Sequence, residues 1–171
     1  MNWIERLRYK AGLVEALVEM APRFHLVAEL PPGVPQSALK EALRNWAARI
    51  DRRYLGRRWS KACRVTERMA GMIFFETGRA GGHRHAHLLV RPPLGADESH
   101  FFDTARYSFH PHPDPNVRQN LPRPVTSRGK MHIDKIRDGA DNLERISNYV
   151  TKDVQWSERS MTDWALLSEL S

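Results

Sequence analysis

The chain of 171 residues carries 27 Lys plus Arg against 20 Asp plus Glu, a formal net charge of +7, with a pI near 10.0 and a mean hydropathy of -0.58. This length suits one domain with its own core, 41% hydrophobic residues exclude a disordered polyelectrolyte, and no apolar run approaches the roughly 20 residues that cross a bilayer, so no membrane partner is expected. Cys63 is the single cysteine, which rules out an internal disulfide and a cysteine-built zinc cluster, and no GxxxxGK[ST] phosphate loop is present.

Trp3, Ile4, Leu7, Leu13, Val14, Leu17 and Val18 recur at spacings of three and four, predicting an amphipathic helix over residues 2–20 that Gly12 weakens and Pro22 stops. Glu5, Arg6 and Arg8 at its start replace the apolar core of a secretion signal, so an intracellular, cytoplasmic protein is expected. Phe24 to Leu30 reads as a first strand, bounded by Pro31, Pro32 and Gly33. A second helix opens at Gln36 or Ser37 and runs to about Tyr54, with Leu39, Leu43, Trp46, Ala47 and Ile50 on one face and a strongly basic end. Met69 to Glu76 and His85 to Val90 form a hairpin across a segment holding Gly78, Gly81 and Gly82. Seven of the eleven prolines lie between residues 92 and 124, so that stretch is expected to be irregular, with one short helix near Glu98 to Tyr107. Lys130 to Ile136 alternates as a fourth strand. Asp141 with Glu144 offers a capping box for a helix running to about Trp156, and an amphipathic segment, Met161 to Leu170, closes the chain. This order predicts an α+β fold, an antiparallel sheet flanked by helices. The expected layout is one domain over residues 1–171: a helical extension at 1–21, a core at 22–156 and a terminal helix at 157–171.

The sharpest local feature is Gly81-Gly82-His83-Arg84-His85-Ala86-His87-Leu88-Leu89-Val90. Alternation along a strand puts the three histidines on one face. With a two-residue turn at Ala80-Gly81, Glu76 lies directly opposite His85, and residues so paired hold their Cβ atoms about 4.5–5.5 Å apart on one face. Glu76, His85 and His87 are therefore candidate metal ligands, with His83 at the rim. Two nitrogens and one oxygen with open positions accept Mn²⁺, Mg²⁺ or Zn²⁺, and spacing does not choose among them. His110 and His112 lie between prolines and are read as ligand-free, and His25 and His132 as ordinary strand residues.

On the helix expected at 141–156, Leu143, Ile146, Val150 and Val154 form the core stripe, while Arg145, Tyr149, Lys152 and Trp156 share another face. A phenol is a poor nucleophile at neutral pH, and an adjacent ammonium favours its anion or steadies charge on the group it attacks. A third cluster, Arg49, Arg52, Arg53, Arg57, Arg58, Lys61 and Arg64 interleaved with Tyr54 and Trp59, matches phosphates with cations and bases with rings.

Together these residues resemble the HUH endonuclease superfamily, through His85-Ala86-His87 followed by Leu88-Leu89-Val90 and through Tyr149-Val150-Thr151-Lys152-Asp153. A single tyrosine with lysine three positions later is similar to the replication-initiator (Rep) branch of rolling-circle plasmids and single-stranded DNA viruses. The resemblance covers residues 22–156 and implies a five-stranded antiparallel sheet, a Glu76–His85–His87 site for Mn²⁺ or Mg²⁺, and nicking of origin or hairpin single-stranded DNA through a 5′-phosphotyrosine on Tyr149. It also implies a replication helicase acting in trans. Two alternatives stay open: a single-tyrosine transposase of the same superfamily, and a non-catalytic basic single-strand binder with a structural metal. A relaxase fits less well, Tyr9 being its one candidate N-terminal nucleophile.

Overall fold

In a computed structural model, which describes residues 2–77, 84–118, 123–152 and 164–170, the chain runs α1 (Trp3–Met20), β1 (Phe24–Glu29), α2 (Gln36–Leu55), two 3-10 turns (Gly56–Arg58 and Ala62–Glu67), β2 (Ala70–Thr77) and β3 (Arg84–Arg91). It continues through α3 (Glu98–Phe109), α4 (Pro115–Arg118), β4 (Lys130–Lys135), α5 (Ala140–Val150), β5 (Trp164–Leu166) and α6 (Leu167–Leu170). The strands form one five-stranded sheet in the order β4-β1-β3-β2-β5 with every neighbouring pair antiparallel. The α+β architecture expected from the sequence is therefore the observed one. Because β3 lies between them, β1 and β2 point the same way, and α2 is the crossover that connects them.

Period-two alternation divides the sheet into two faces, each with its own core. On one face Phe24, Leu26, Ala28, Ile73, Phe75, Ala86, Leu88, Val90, Met131 and Ile133 meet Leu39, Leu43, Trp46 and Ile50 of α2 and Phe101, Ala105 and Phe109 of α3. The Trp46 indole N–H, buried in this layer, donates to the Ala105 carbonyl at 2.8 Å, which satisfies the one polar atom the ring carries inward. On the other face Met72, Phe74 and Leu89 pack against Leu13 and Leu17 of α1 and against Val150, Leu143 and Ile146 of α5. Strand β3 is thus buried on both sides from Ala86 to Val90, which explains the unbroken apolar run after the histidines. Helix α1, capped by a reciprocal Asn2–Glu5 box, continues through Gly12 to Met20, and the second layer holds it against α5. Gly71 leaves room for α6: a Cβ there would stand 2.8 Å from the Leu89 carbonyl oxygen and 2.7 Å from a Leu167 methyl.

Three expectations need correction. Residues Trp164–Leu166 form a strand, pairing with Phe74, Ile73 and Met72, and helix resumes only over Leu167–Leu170. The apolar spacing of this short segment suits either state, and pairing with the open edge of β2 decides it. Helix α5 ends at Val150 instead of near Trp156: Thr151 leaves helical geometry and its hydroxyl donates back to the Ser147 carbonyl at 2.7 Å. Its start is Gly139, at φ 121, with no side-chain cap. Asp141 therefore lies within the first turn, facing the positive end of the helix, and not at the cap. The turn at Ala80-Gly81, His83, Asp153, Val154, Trp156 and Met161 lie outside the described residues. Among the described residues no helix is long and apolar enough to cross a membrane.

Candidate metal centre and its tyrosine

The β2–β3 ladder pairs Glu76 with His85 and Phe74 with His87, the register expected from an even-numbered loop. Glu76 Oε2 lies 3.1 Å from His85 Nε2 and 3.5 Å from His87 Nε2, and ligand-competent atoms of all three fall within 4.8 Å of one another. Donors on a cation about 2.1 Å away stand roughly 3.0–3.5 Å apart at adjacent positions, and the two distances from Glu76 Oε2 match that spacing. Among the described residues these three are the grouped donors, fewer than such an ion takes, so coordination positions remain for further oxygens. His87 is 5% exposed, while His85 lies nearer the rim.

The Glu76 carboxyl is held down at about 2, first by its hydrogen bond with His87, with Lys152 adding to the effect and burial opposing it. His85 is the nearer imidazole, but His87 has less water around it and so acts more strongly on the carboxylate. The ionised form is the one a cation needs. The second carboxylate oxygen, Oε1, faces the Lys152 ammonium at 3.3 Å.

Helix α5 delivers the phenol. With Ile146 and Val150 turned into the second core, Tyr149 falls at its edge, 49% exposed. Its ring meets His87 edge-on, centroids 5.6 Å apart, and His25 at 6.4 Å. Lys152 lies just beyond the helix end, and its Nζ stands 4.3 Å from the centre of the Tyr149 ring. One ammonium therefore touches both the carboxylate and the nucleophile candidate. The pairing expected from helical spacing is present, although a turn and not the helix creates it.

His25, expected as an ordinary strand residue, belongs to the site. Its Nε2 lies 3.0 Å from His87 Nδ1 and its ring plane within 12° of that of His87, centroids 5.3 Å apart. Burial above all, then His87, pushes its pKa down to about 4 against the opposing pull of Asp134. Alternation against Phe24, Leu26 and Ala28 already put His25 on the face opposite the α2 core. What the sequence lacks is the β1–β3 register, which sets Val27 against His87 and makes His25 a diagonal neighbour. The same register places Glu29 directly beside His85 on the side away from Glu76.

The basic cluster is elsewhere. Arg52, Arg53, Arg57, Arg58 and Lys61 are exposed on the α2 layer, across the sheet from the metal trio. Asp51 accepts from the Met69 N–H at 2.8 Å, and Arg68 bonds the Trp59 and Ser60 carbonyls, so the cluster is tied to the start of β2 while Glu76 stands near its end. Seven residues of extended chain span about 23 Å. Trp59 has guanidinium groups near its ring, Arg68 at 5.4 Å and Arg52 at 6.0 Å from the centroid. Tyr9, the relaxase candidate, accepts a hydrogen bond from the Trp164 indole at 2.6 Å, well within the α1–β5 packing. Cys63 is exposed.

No protein-family model, curated protein or solved structure matches the chain.

Proposed function

We propose that the protein is a metal-dependent nickase and ligase of single-stranded DNA, of the HUH replication-initiator type. The observation that carries this reading is the convergence of two separate elements: an N₂O donor set on β2 and β3, and a half-exposed phenol on α5 whose ring touches one of the donors. A structural metal site would have no use for a half-exposed tyrosine and an ammonium beside its donors.

Glu76, His85 and His87 would hold the ion, Mn²⁺ or Mg²⁺, which when bound supplies Lewis-acid polarisation of a non-bridging phosphate oxygen. Tyr149 Oη attacks phosphorus in line. The Oη–P bond forms, the P–O3′ bond breaks, and the phenolic proton is balanced by the one the leaving 3′-oxygen gains. The products are a 5′-phosphotyrosine and a free 3′-hydroxyl, so the phosphodiester count is conserved and the reverse step rejoins the strand. Lys152 either favours the phenolate or stabilises charge on the phosphoryl group; its contact with the Tyr149 ring suits both. Arg52, Arg53, Arg57, Arg58, Lys61 and Trp59 would engage DNA that flanks the cut, not the scissile strand itself.

The test is incubation with randomised single-stranded oligonucleotides and Mn²⁺, followed by denaturing electrophoresis. The reading expects a slower protein band that needs the metal; binding without any such band at every sequence tried would favour the non-catalytic binder.

A further inference from the structure

His87 has two ring nitrogens, and each faces a different neighbour. Nε2 points toward Glu76 Oε2 at 3.5 Å, where a cation would take its lone pair. Nδ1 points toward His25 Nε2 at 3.0 Å. A neutral imidazole that gives Nε2 to a metal must carry its proton on Nδ1, and that N–H needs an acceptor. His87 is 5% exposed, so water is a poor substitute, and the two ring planes lie within 12° of each other with centroids 5.3 Å apart, an edge-to-edge arrangement that suits an in-plane N–H···N bond.

We propose that His25 is a positioning residue for the metal centre: its Nε2 accepts from His87 Nδ1–H and so holds His87 in the tautomer whose Nε2 lone pair faces Glu76 and His85. Without the ion, the bond runs the other way, His25 Nε2–H donating to His87 Nδ1 while His87 Nε2–H meets the carboxylate. Loading therefore exchanges the tautomers of both rings without changing the total number of protons they carry. The same imidazole lies edge-on to Tyr149 at 6.4 Å, so the ring that orders the ligand also borders the nucleophile candidate. This inference rests on the metal reading of the trio but not on DNA cleavage.

The experiment is Mn²⁺ titration by calorimetry of the full chain, wild type against H25L and H25Q, with thermal midpoints recorded for each. Gln places an amide oxygen near the position of the imidazole Nε2 and can accept; Leu cannot. The expected result is a dissociation constant raised about 10- to 100-fold in H25L and largely restored in H25Q. Equal affinity in all three proteins overturns the role of His25, and so does equal weakness of H25L and H25Q, which would mean that ring shape and not the acceptor matters. If the wild type itself binds no Mn²⁺, the metal reading fails first. Should H25L not fold, ¹⁵N spectra of the Zn²⁺-loaded wild type decide: the account requires His87 protonated at Nδ1, and a proton at Nε2 overturns it.

Discussion

The separation of the basic cluster from the metal trio makes a quantitative prediction. Arg52, Arg53, Arg57, Arg58 and Lys61 form no ion pair with any of the described residues, so their charge is available to phosphates. Each phosphate contact contributes roughly 0.9 to the slope of log affinity against log salt for duplex DNA, and roughly 0.7 for a single strand. Removing two contacts in R57A/R58A should lower that slope by about 1.8 or about 1.4. Between 50 and 200 mM salt that difference alone changes the salt-induced loss of affinity about tenfold. The start of β2, to which the cluster is tied through Asp51 and Met69, lies about 23 Å along the strand from Glu76, and B-form DNA advances about 3.4 Å per base pair, so that length corresponds to roughly seven base pairs. A hairpin substrate with a longer stem should therefore show the reduced slope in fluorescence anisotropy. An oligonucleotide with about three nucleotides on each side of the cut should bind and react as it does with the wild type, because it cannot span the distance. If the short substrate is weakened as much as the long one, the cluster contacts the scissile strand and the spatial argument is wrong. An unchanged slope on the hairpin would remove the cluster from DNA binding altogether.

Other consequences follow from single side chains. Asp51 is 4% exposed, and burial raises its pKa to about 6 from 3.8 against the Met69 N–H bond and Arg68. Its folded pKa exceeds its unfolded one, so folding favours the protonated form, and stability is lost as pH rises from about 4 through about 6. D51N keeps an acceptor for the Met69 N–H without the charge; denaturant unfolding should find it up to about 3 kcal/mol more stable near pH 8 and no better below about pH 4. An equal loss at both pH values would refute the burial cost. Ser147 is fully buried and its hydroxyl finds no partner among the described residues, so S147A should gain about 1 kcal/mol in the same assay, and a loss would reveal a bond to that oxygen. K152M should cut adduct formation by about 100-fold while leaving Mn²⁺ affinity equal to or above that of the wild type. Reduced affinity in that variant would show that Lys152 supports the site instead of the reaction.

Much of the site was legible because local rules determine it. Strand period and an even loop put Glu76, His85 and His87 on one face, and the observed register is the one those rules require. The α2 stripe of Leu39, Leu43, Trp46, Ala47 and Ile50 is buried as its spacing predicted. What stayed hidden depends on contacts between distant segments. His25 and His87 are 62 residues apart, and nothing in Phe24–Glu29 alone reveals that β3 inserts between β1 and β2. Which face of the sheet α2 covers follows from that crossover, and with it the remoteness of the basic cluster from the metal trio. Strand β5 has three residues, too short for a period to emerge, and its conformation is imposed by Phe74, Ile73 and Met72. Helix α5 stops at Val150, where Thr151 still bonds back to the Ser147 carbonyl through both its N–H, at 3.1 Å, and its hydroxyl, at 2.7 Å; apolar spacing carries no signal for where that last turn falls.

The central claim is that the Tyr149 phenol, beside the Glu76–His85–His87 trio, becomes joined to DNA. Peptide mapping by mass spectrometry after reaction with a cleavable oligonucleotide and Mn²⁺ tests it most directly. The account predicts a nucleotide 5′-phosphate on the peptide containing Tyr149, absent in Y149F although that variant still binds Mn²⁺. An adduct on another residue, an adduct that survives in Y149F, or cleavage that releases a free 5′-phosphate without any protein-linked product would contradict it.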